Sequence, residues 1–320
     1  MRSFIPAPAI ARLPTNGRPK PFWSVMIPTY NPRADYLEKA LRSVLQQDCG
    51  PDRMQIEVVD DCSIGADVAA IVQSIAGDRV LFSKTAKNLG LAGAWNTCIE
   101  QSRGQWVHIL HQDDMLLPGF YACLEEAAQR QPEASLLATR CFFVDEDGVL
   151  TGVTPRLRRL EQGGRSVNDF FYGTPLQCPG IAVRRAFYEA HGGFRSDLAF
   201  VLDCEMWARV ISAAGGLVTS EVLACYRMFH ENESGRLSRS GKCLQDIERL
   251  NQLFAERYSG FDLTQANRRA CDFAMEQLQR FKQNGDHDAA RANLAFWQRH
   301  TPLRRRLRIV AGRLARRVLS

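Results

Sequence analysis

The order of its apolar runs constrains this chain most. Residues 22–28 (FWSVMIP), 55–59, 79–83 and 105–110 (QWVHIL) are short apolar runs. Each is followed by a stretch whose apolar residues recur at helical spacing, over 35–47, 66–76, 91–102 and 118–131. Runs this short suit strands, and strands alternating with helices of this length predict βαβ units and a mostly parallel sheet. Ligands of such sheets bind beyond the carboxyl ends of the strands. Three successive strand ends carry polar clusters: Thr29-Tyr30-Asn31, Asp60-Asp61-Cys62-Ser63 and His111-Gln112-Asp113-Asp114. The topology brings them to one rim.

Two adjacent carboxylates at a strand end repel each other and raise each other's pKa. A divalent cation removes that penalty, and hard oxygen donors suit Mg2+ or Mn2+. Either Asp pair alone is as well explained by a helix cap or a solvated turn. Two such pairs on one sheet favour a nucleotide-sugar or nucleotide-phosphate site. No G-x-G-x-x-G follows the first strand and no G-x-x-x-x-G-K-[ST] occurs, so the usual backbone cradles for dinucleotides and P-loop phosphates are missing. The ten cysteines form no C-x-x-C pair. They read as reduced thiols of a cytoplasmic protein rather than zinc ligands.

The motifs VMIPTYN (25–31), IEVVDDCS (56–63), NLGLAGAWN (88–96) and GQWVHILHQDDMLLPG (104–119) resemble, in order and spacing, those of family 2 glycosyltransferases with the GT-A fold. So do CPGIAVRRAFYEAHGGF (178–194), LDCEMWARV (202–210) and YRMFHENES (226–234). The resemblance implies a Rossmann-type α/β fold: a mixed, mostly parallel sheet flanked by helices. It also implies inverting transfer of a sugar from a nucleoside diphosphate, commonly UDP, to a hydroxyl of a saccharide or lipid-linked acceptor in surface polysaccharide or glycolipid synthesis. Pro28, Thr29, Tyr30, Asn31, Asn88, Gly90, Asn96 and Gln112 would line the donor site, and Asp61 would accept a hydrogen bond from the base. Asp114 would be the direct ligand of Mn2+ or Mg2+, Asp113 would lie nearer the ribose, and His230 would lie near diphosphate and metal. Asp203 would be the catalytic base. The chain departs from the family pattern at four places. Cys62 stands where Gly is frequent, so a different turn is expected after Asp61. His111 replaces the first acid of the metal motif, Trp95 replaces an Arg, and Leu202 replaces a Glu before the base.

Among other histidines, His108 lies inside a strand and reads as a packed residue. Cys204, beside Asp203, has no base placed to activate it and reads as a buried thiol. Residues 1–21, rich in Pro and small residues, read as a flexible lead-in without the apolar core of a secretory signal. Residues 22–235 form the expected glycosyltransferase domain. CFFVDEDGVL (141–150) within it reads as a hairpin, and 156–165 as a basic loop on the acceptor side. Residues 236–300 form a helical subdomain. Residues 303–320 hold seven Arg and no acid against a net charge of +6, leaving −1 for the rest. A near-neutral body argues against nucleic-acid binding. The tail, 301–320, has one apolar stripe and reads either as an amphipathic helix at a membrane surface or as a last helix packed on the subdomain. The first reading places the chain peripherally on the cytoplasmic face. A catalytically silent nucleotide-sugar-binding module is the alternative to an enzyme; both acid pairs and Asp203 weigh against it. Donor sugar, acceptor, linkage and oligomeric state stay open.

Overall fold

In the computed structural model, which describes residues 6–14, 20–229 and 233–301, Trp23–Thr29 (β1) is buried at every position. That is the burial a central parallel strand covered on both faces requires. The chain continues through Ala34–Leu45 (α1), Met54–Asp60 (β2), Val68–Ala76 (α2), Leu81–Lys84 (β3), Gly90–Gln101 (α3), Trp106–Ile109 (β4), Met115–Leu116 (β5) and Phe120–Arg130 (α4). Then come Leu136–Val144 (β6), Leu150–Val153 (β7), Ile181–Arg184 (β8), Arg185–His191 (α5), Leu202–Ala214 (α6) and Gly216–Arg227 (β9). Every element expected over residues 22–131 is present within a few residues, and the hairpin expected at 141–150 is β6–β7.

The sheet runs β3-β2-β1-β4-β8-β6-β9-β5, with β7 beside β6. Its first four strands are parallel; β8 pairs antiparallel with β4 and β6, and β6 runs parallel to β9. Trp23, Val25, Ile27, Leu37, Leu41, Ile56 and Val58 of the parallel half pack with Trp106, Phe120 and Leu124 in one core. The chain winds outward from β1 to β3 and returns to β4 on the other side of β1. The switch point therefore lies between β1 and β4, where such sheets bind ligands. Met26 O accepts the Leu110 N–H at 3.0 Å. Pro28 faces the same neighbour two residues on but has no N–H, so the β1–β4 ladder stops there. The sheet opens a crevice just where residues 29–31 and 111–114 emerge.

Residues 6–14 differ from the flexible lead-in expected. Pro8 O accepts the Gly193 N–H (2.8 Å), Ala11 O accepts Arg185 Nη2 (3.1 Å), the Leu13 N–H donates to Glu189 (3.2 Å), and Ile10 is buried. Fixed partners on α5 and the turn after it order a segment that has no periodicity of its own.

The chain divides into two units, Met1–Asp197 with Leu202–Phe229, and Leu198–Val201 with His230–Ser320. The second unit contains Glu233–Arg239 (α7), Lys242–Arg257 (α8), Leu263–Gln283 (α9) and His287–His300 (α10). Leu244, Cys271, Ala274, Phe296 and Trp297 lie in its core. Asp262 and Asp286 cap α9 and α10 through the N–H groups of Gln265 and Ala289. Asp246 fixes the 198–201 strap through the N–H groups of Ala199 and Phe200, each at 2.7 Å. Among the described residues no helix is long and apolar enough to cross a membrane. The amphipathic tail expected at 302–320 lies outside the described residues.

Candidate active site

The Asp60–Asp61 turn shows how one acidic pair is accommodated. Asp60, fully buried, accepts from Thr29 Oγ1 (3.2 Å), from the Ser63 N–H (3.1 Å) and from the Ser63 hydroxyl, with Lys84 Nζ 3.4 Å away. Asp61 accepts the Leu89 N–H (2.8 Å), the Gly90 N–H (3.0 Å) and Thr85 Oγ1 (3.1 Å). Its carboxylate thus holds the start of α3, where the helix dipole favours an anion. Of its roughly four lone-pair directions, one on Oδ2 remains for a ligand. Asn88 braces the same turn from Nδ2 to Asp61 O and from the Gly90 N–H to Oδ1. Cys62 sits at φ 63. The turn therefore keeps the left-handed backbone that a glycine would adopt, contrary to the different turn expected.

At the end of β1, Asn31 (φ 44) accepts the Ile64 and Gly65 N–H groups on Oδ1 at 2.9 Å. Its side chain shapes the loop. Tyr30 is 46% exposed, and its N–H donates to Gln112 Oε1 at 2.8 Å, which ties β1 to the loop after β4. A cavity of about 590 Å3, lined by Asp60, Ser63, Ile64, Phe82 and Lys84 among others, flanks this turn. Asn96, expected at the donor, also holds a backbone turn. Its Nδ2 donates to Phe194 O (2.9 Å) and its Oδ1 accepts the Phe194 N–H (2.7 Å). Both halves of the amide brace a backbone turn.

The loop after β4 divides its acids. Asp114, 1% exposed, accepts the Arg227 N–H on Oδ1 (2.8 Å), and His111 Nδ1 lies 3.1 Å from Oδ2. Asp113 accepts no donor beyond its own backbone N–H among the described residues. Burial, then the neighbouring Asp114 charge, pushes it up to about 7, against the opposing His111 and Arg227 charges. One carboxylate is therefore held by fixed partners, while its neighbour accepts none among the described side chains. A divalent cation fits this set: it would supply the charge that Asp113 lacks, and the candidate ligand atoms of His111, Asp113 and Asp114 all lie within 4.8 Å of one another. His230 lies outside the described residues.

Arg227, which lies in the motif at 226–234 but was assigned no role there, closes β9 and is 1% exposed. Its Nε donates to Asp113 O (3.0 Å) and its Nη1 to Asp145 O and Glu146 O (2.9 Å each), while the guanidinium lies 4.4 Å from the Tyr36 ring centroid. One side chain thereby fastens the acidic loop to the β6–β7 hairpin.

Asp203 lies in the first turn of α6, half-buried, and accepts the Cys204 N–H at 2.7 Å. Burial pushes it up to about 6, against the Cys204 N–H and the His111 charge, which favour ionisation. An aromatic row connects it to the acidic loop: Trp95 stacks on His111 (4.9 Å, 25°), Phe194 meets Trp95 edge-on (4.8 Å), and Trp207, one turn after Asp203, meets Phe194 (5.7 Å). Burial raises the Cys178 thiol, with His111 opposing and Asp203 and Asp114 adding. His111, Asp114 and Asp203 therefore all lie near one buried sulfur. His108 is a satisfied core residue. Its ring nitrogens lie 3.0 Å from Tyr121 Oη and from Pro179 O, and burial pushes it down to about 3. The Cys204 thiol is pushed up to about 12 by burial, as suits a packed, inert sulfur.

The model of the family described as Glycosyl transferase family 2 matches residues 24–192. A succinoglycan biosynthesis protein of Rhizobium meliloti is 33% identical over 175 residues, 55% of this chain and 44% of that one. TarS 1-349 of S. aureus, solved with UDP-GlcNAc, superposes with a TM-score of 0.53 at 17% identity over 86% of this chain and 91% of that one. A mannosyltransferase of Pyrobaculum calidifontis, solved with GDP-Man and Mn2+, superposes with a TM-score of 0.53 at 19% identity over 98% and 84%. At these identities the structural likeness is one of fold, and that fold is GT-A. With over half its length under the family model, the chain belongs to glycosyl transferase family 2.

Proposed function

We propose that this chain is an inverting, cation-assisted transferase. It would take a sugar from a nucleoside diphosphate, UDP by preference, and attach it to a hydroxyl of a saccharide or lipid-linked acceptor. The observation that carries this is the cluster of His111, Asp113 and Asp114 ligand atoms within 4.8 Å, joined through Trp95, Phe194 and Trp207 to the helix turn that bears Asp203; burial raises Asp113 to about 7 and Asp203 to about 6. Asp203 is suited to accept a proton near neutrality and Asp113 to meet a cation. The donors present in the two solved relatives, UDP-GlcNAc and GDP-Man, support a nucleotide-sugar substrate.

Asp113, with Asp114 behind it, would hold Mn2+ or Mg2+; when bound, the cation supplies Lewis-acid neutralisation of the departing diphosphate. Tyr30, Thr29 and the free lone pair of Asp61 receive the nucleoside at the crevice beside Pro28. Asp203 takes the proton from the acceptor hydroxyl as its oxygen bonds to the anomeric carbon and the bond to the diphosphate breaks. General-base assistance of this kind contributes about 10²–10⁴-fold in rate. Arg227 touches no reacting atom and acts by fixing the Asp113–Asp114 backbone.

A thermal-shift panel of nucleotide sugars with and without Mn2+ tests the proposal, because a ligand of the native state raises its stability. One donor class should raise Tm with Mn2+, and Asp113→Asn should abolish the metal-dependent part. A panel without any shift, together with absent transfer, would reject it.

A further inference from the structure

We propose that His111 is a third ligand of the cation, giving the site one imidazole nitrogen beside two carboxylates, and that this set selects Mn2+ over Mg2+. The inference rests on the reading above, in which Asp113 and Asp114 hold a divalent ion. The spacing is the first support. His111 Nδ1 and Asp114 Oδ2 are 3.1 Å apart, and two donors about 2.1 Å from one ion at right angles lie about 3 Å apart. The contact seen as a hydrogen bond therefore has the separation of adjacent ligands. Asp114 Oδ1 is already taken by the Arg227 N–H, so Oδ2 is the oxygen that faces the ion together with the imidazole.

Ring orientation is the second support. Trp95 lies flat against His111 and is itself braced edge-on by Phe194. The imidazole plane is clamped, and its Nδ1 edge points at the carboxylate. Trp95 and His111 are also two of the positions at which the chain departs from the pattern it resembles, and here they are one contact. A stacked aromatic pair stands where that pattern has an Arg and an acid.

The tautomer is consistent as well. Ligation through Nδ1 leaves the ring proton on Nε2. That atom is buried without a hydrogen-bond partner, and the Cys178 thiol near the ring is a weak acceptor at most. Nothing in the pocket competes for Nε2 in a way that would turn Nδ1 away from the ion. Imidazole nitrogen suits transition-metal ions, whereas Mg2+ keeps to oxygen donors in near-ideal octahedra.

Pulsed EPR on the full chain with Mn2+, alone and with UDP, tests the proposal. The wild type should show nitrogen coupling to the bound Mn2+. The coupling should vanish in His111→Asp and His111→Gln and persist in His230→Gln. Titration calorimetry should show the Mn2+-to-Mg2+ affinity ratio falling about tenfold in His111→Asp. Mn2+ that binds the wild type without nitrogen coupling, or a coupling and ratio unchanged in both His111 variants, overturns the proposal and leaves the cation site standing. A wild type that binds no Mn2+ with or without UDP overturns both.

Discussion

Replacing Asp203 with Asn tests the proposed base and the stability of the fold together, because one buried carboxyl bears on both. Burial holds Asp203 at about 6 against an ordinary value of 3.8. The folded chain binds that proton more tightly than the unfolded chain. The stability this contributes is complete below pH 3.8 and is lost as pH rises through about 6. At about 1.4 kcal/mol per tenfold change in proton affinity, the ionised carboxyl costs the fold up to about 3 kcal/mol at pH 8; partial exposure reduces this to about 1–2 kcal/mol. Asn matches its shape, keeps an oxygen for the Cys204 N–H and carries no charge. Thermal unfolding should place the variant about 2–6 °C above the wild type at pH 8, with about half that gap remaining at pH 5. Transfer should fall about 10²–10⁴-fold while the donor Kd stays within about twofold, and wild-type kcat should decline below pH 6. Turnover retained by the variant refutes the base assignment. A stability gap identical at pH 5 and pH 8 refutes burial of the charge as the origin of the raised pKa.

Three further outcomes follow from named contacts. His108, pushed down to about 3 by burial, contributes stability that is present above pH 6.5 and lost as pH falls. Denaturant titrations at pH 7 and pH 4.5 should differ by about 2–3 kcal/mol from this residue, and His108→Gln should flatten that difference; an unchanged slope would show that the histidine is not the source. Cys62→Gly should be neutral or stabilise by up to about 1 kcal/mol, since glycine enters φ 63 without strain but has more unfolded-state freedom to lose; a loss beyond about 1 kcal/mol would mean that the thiol itself packs usefully. Arg227→Lys keeps the charge but not the fork that reaches Asp113 O, Asp145 O and Glu146 O together. It should cost about 2–3 kcal/mol and weaken Mn2+-dependent nucleotide binding, and calorimetry showing wild-type binding would refute the loop-fastening role.

The first half of the sheet was legible because burial on both faces writes itself as continuous apolar runs, as in residues 23–29. The order β8-β6-β9 was not, since antiparallel and parallel partners of β6 share one composition and register leaves no local trace. Residues 6–14 show why a segment without periodicity misleads: their partners on α5 are over 170 residues away in sequence. The acidic clusters were legible as clusters, and topology accounts for the meeting of the strand ends through Thr29 with Asp60 and Tyr30 with Gln112. The hydrogen-bond partners of each acid were not. Adjacent carboxylates look alike in sequence, and Asp114 is distinguished from Asp113 by an amide 113 residues further on. Arg227 escaped notice for a similar reason, because an Arg at a strand end is ordinarily solvated. Asn96 sits in a motif suited to donor contact, and one N–H and one lone pair of its amide also hold the Phe194 backbone, a partner 98 residues away.

Pro28 has a consequence for how such a site can diversify. A missing hydrogen on one imino acid acts as a zipper stop, so the segment that follows Leu110 is released from the β1 ladder and is held instead by a turn of its own, by β9 and by Arg227. Substitutions at positions 111 to 113 can then reshape the proposed cation and donor site without disturbing a rung of the β1–β4 ladder, whereas restoring an N–H at position 28 would let the two strands close further along the crevice.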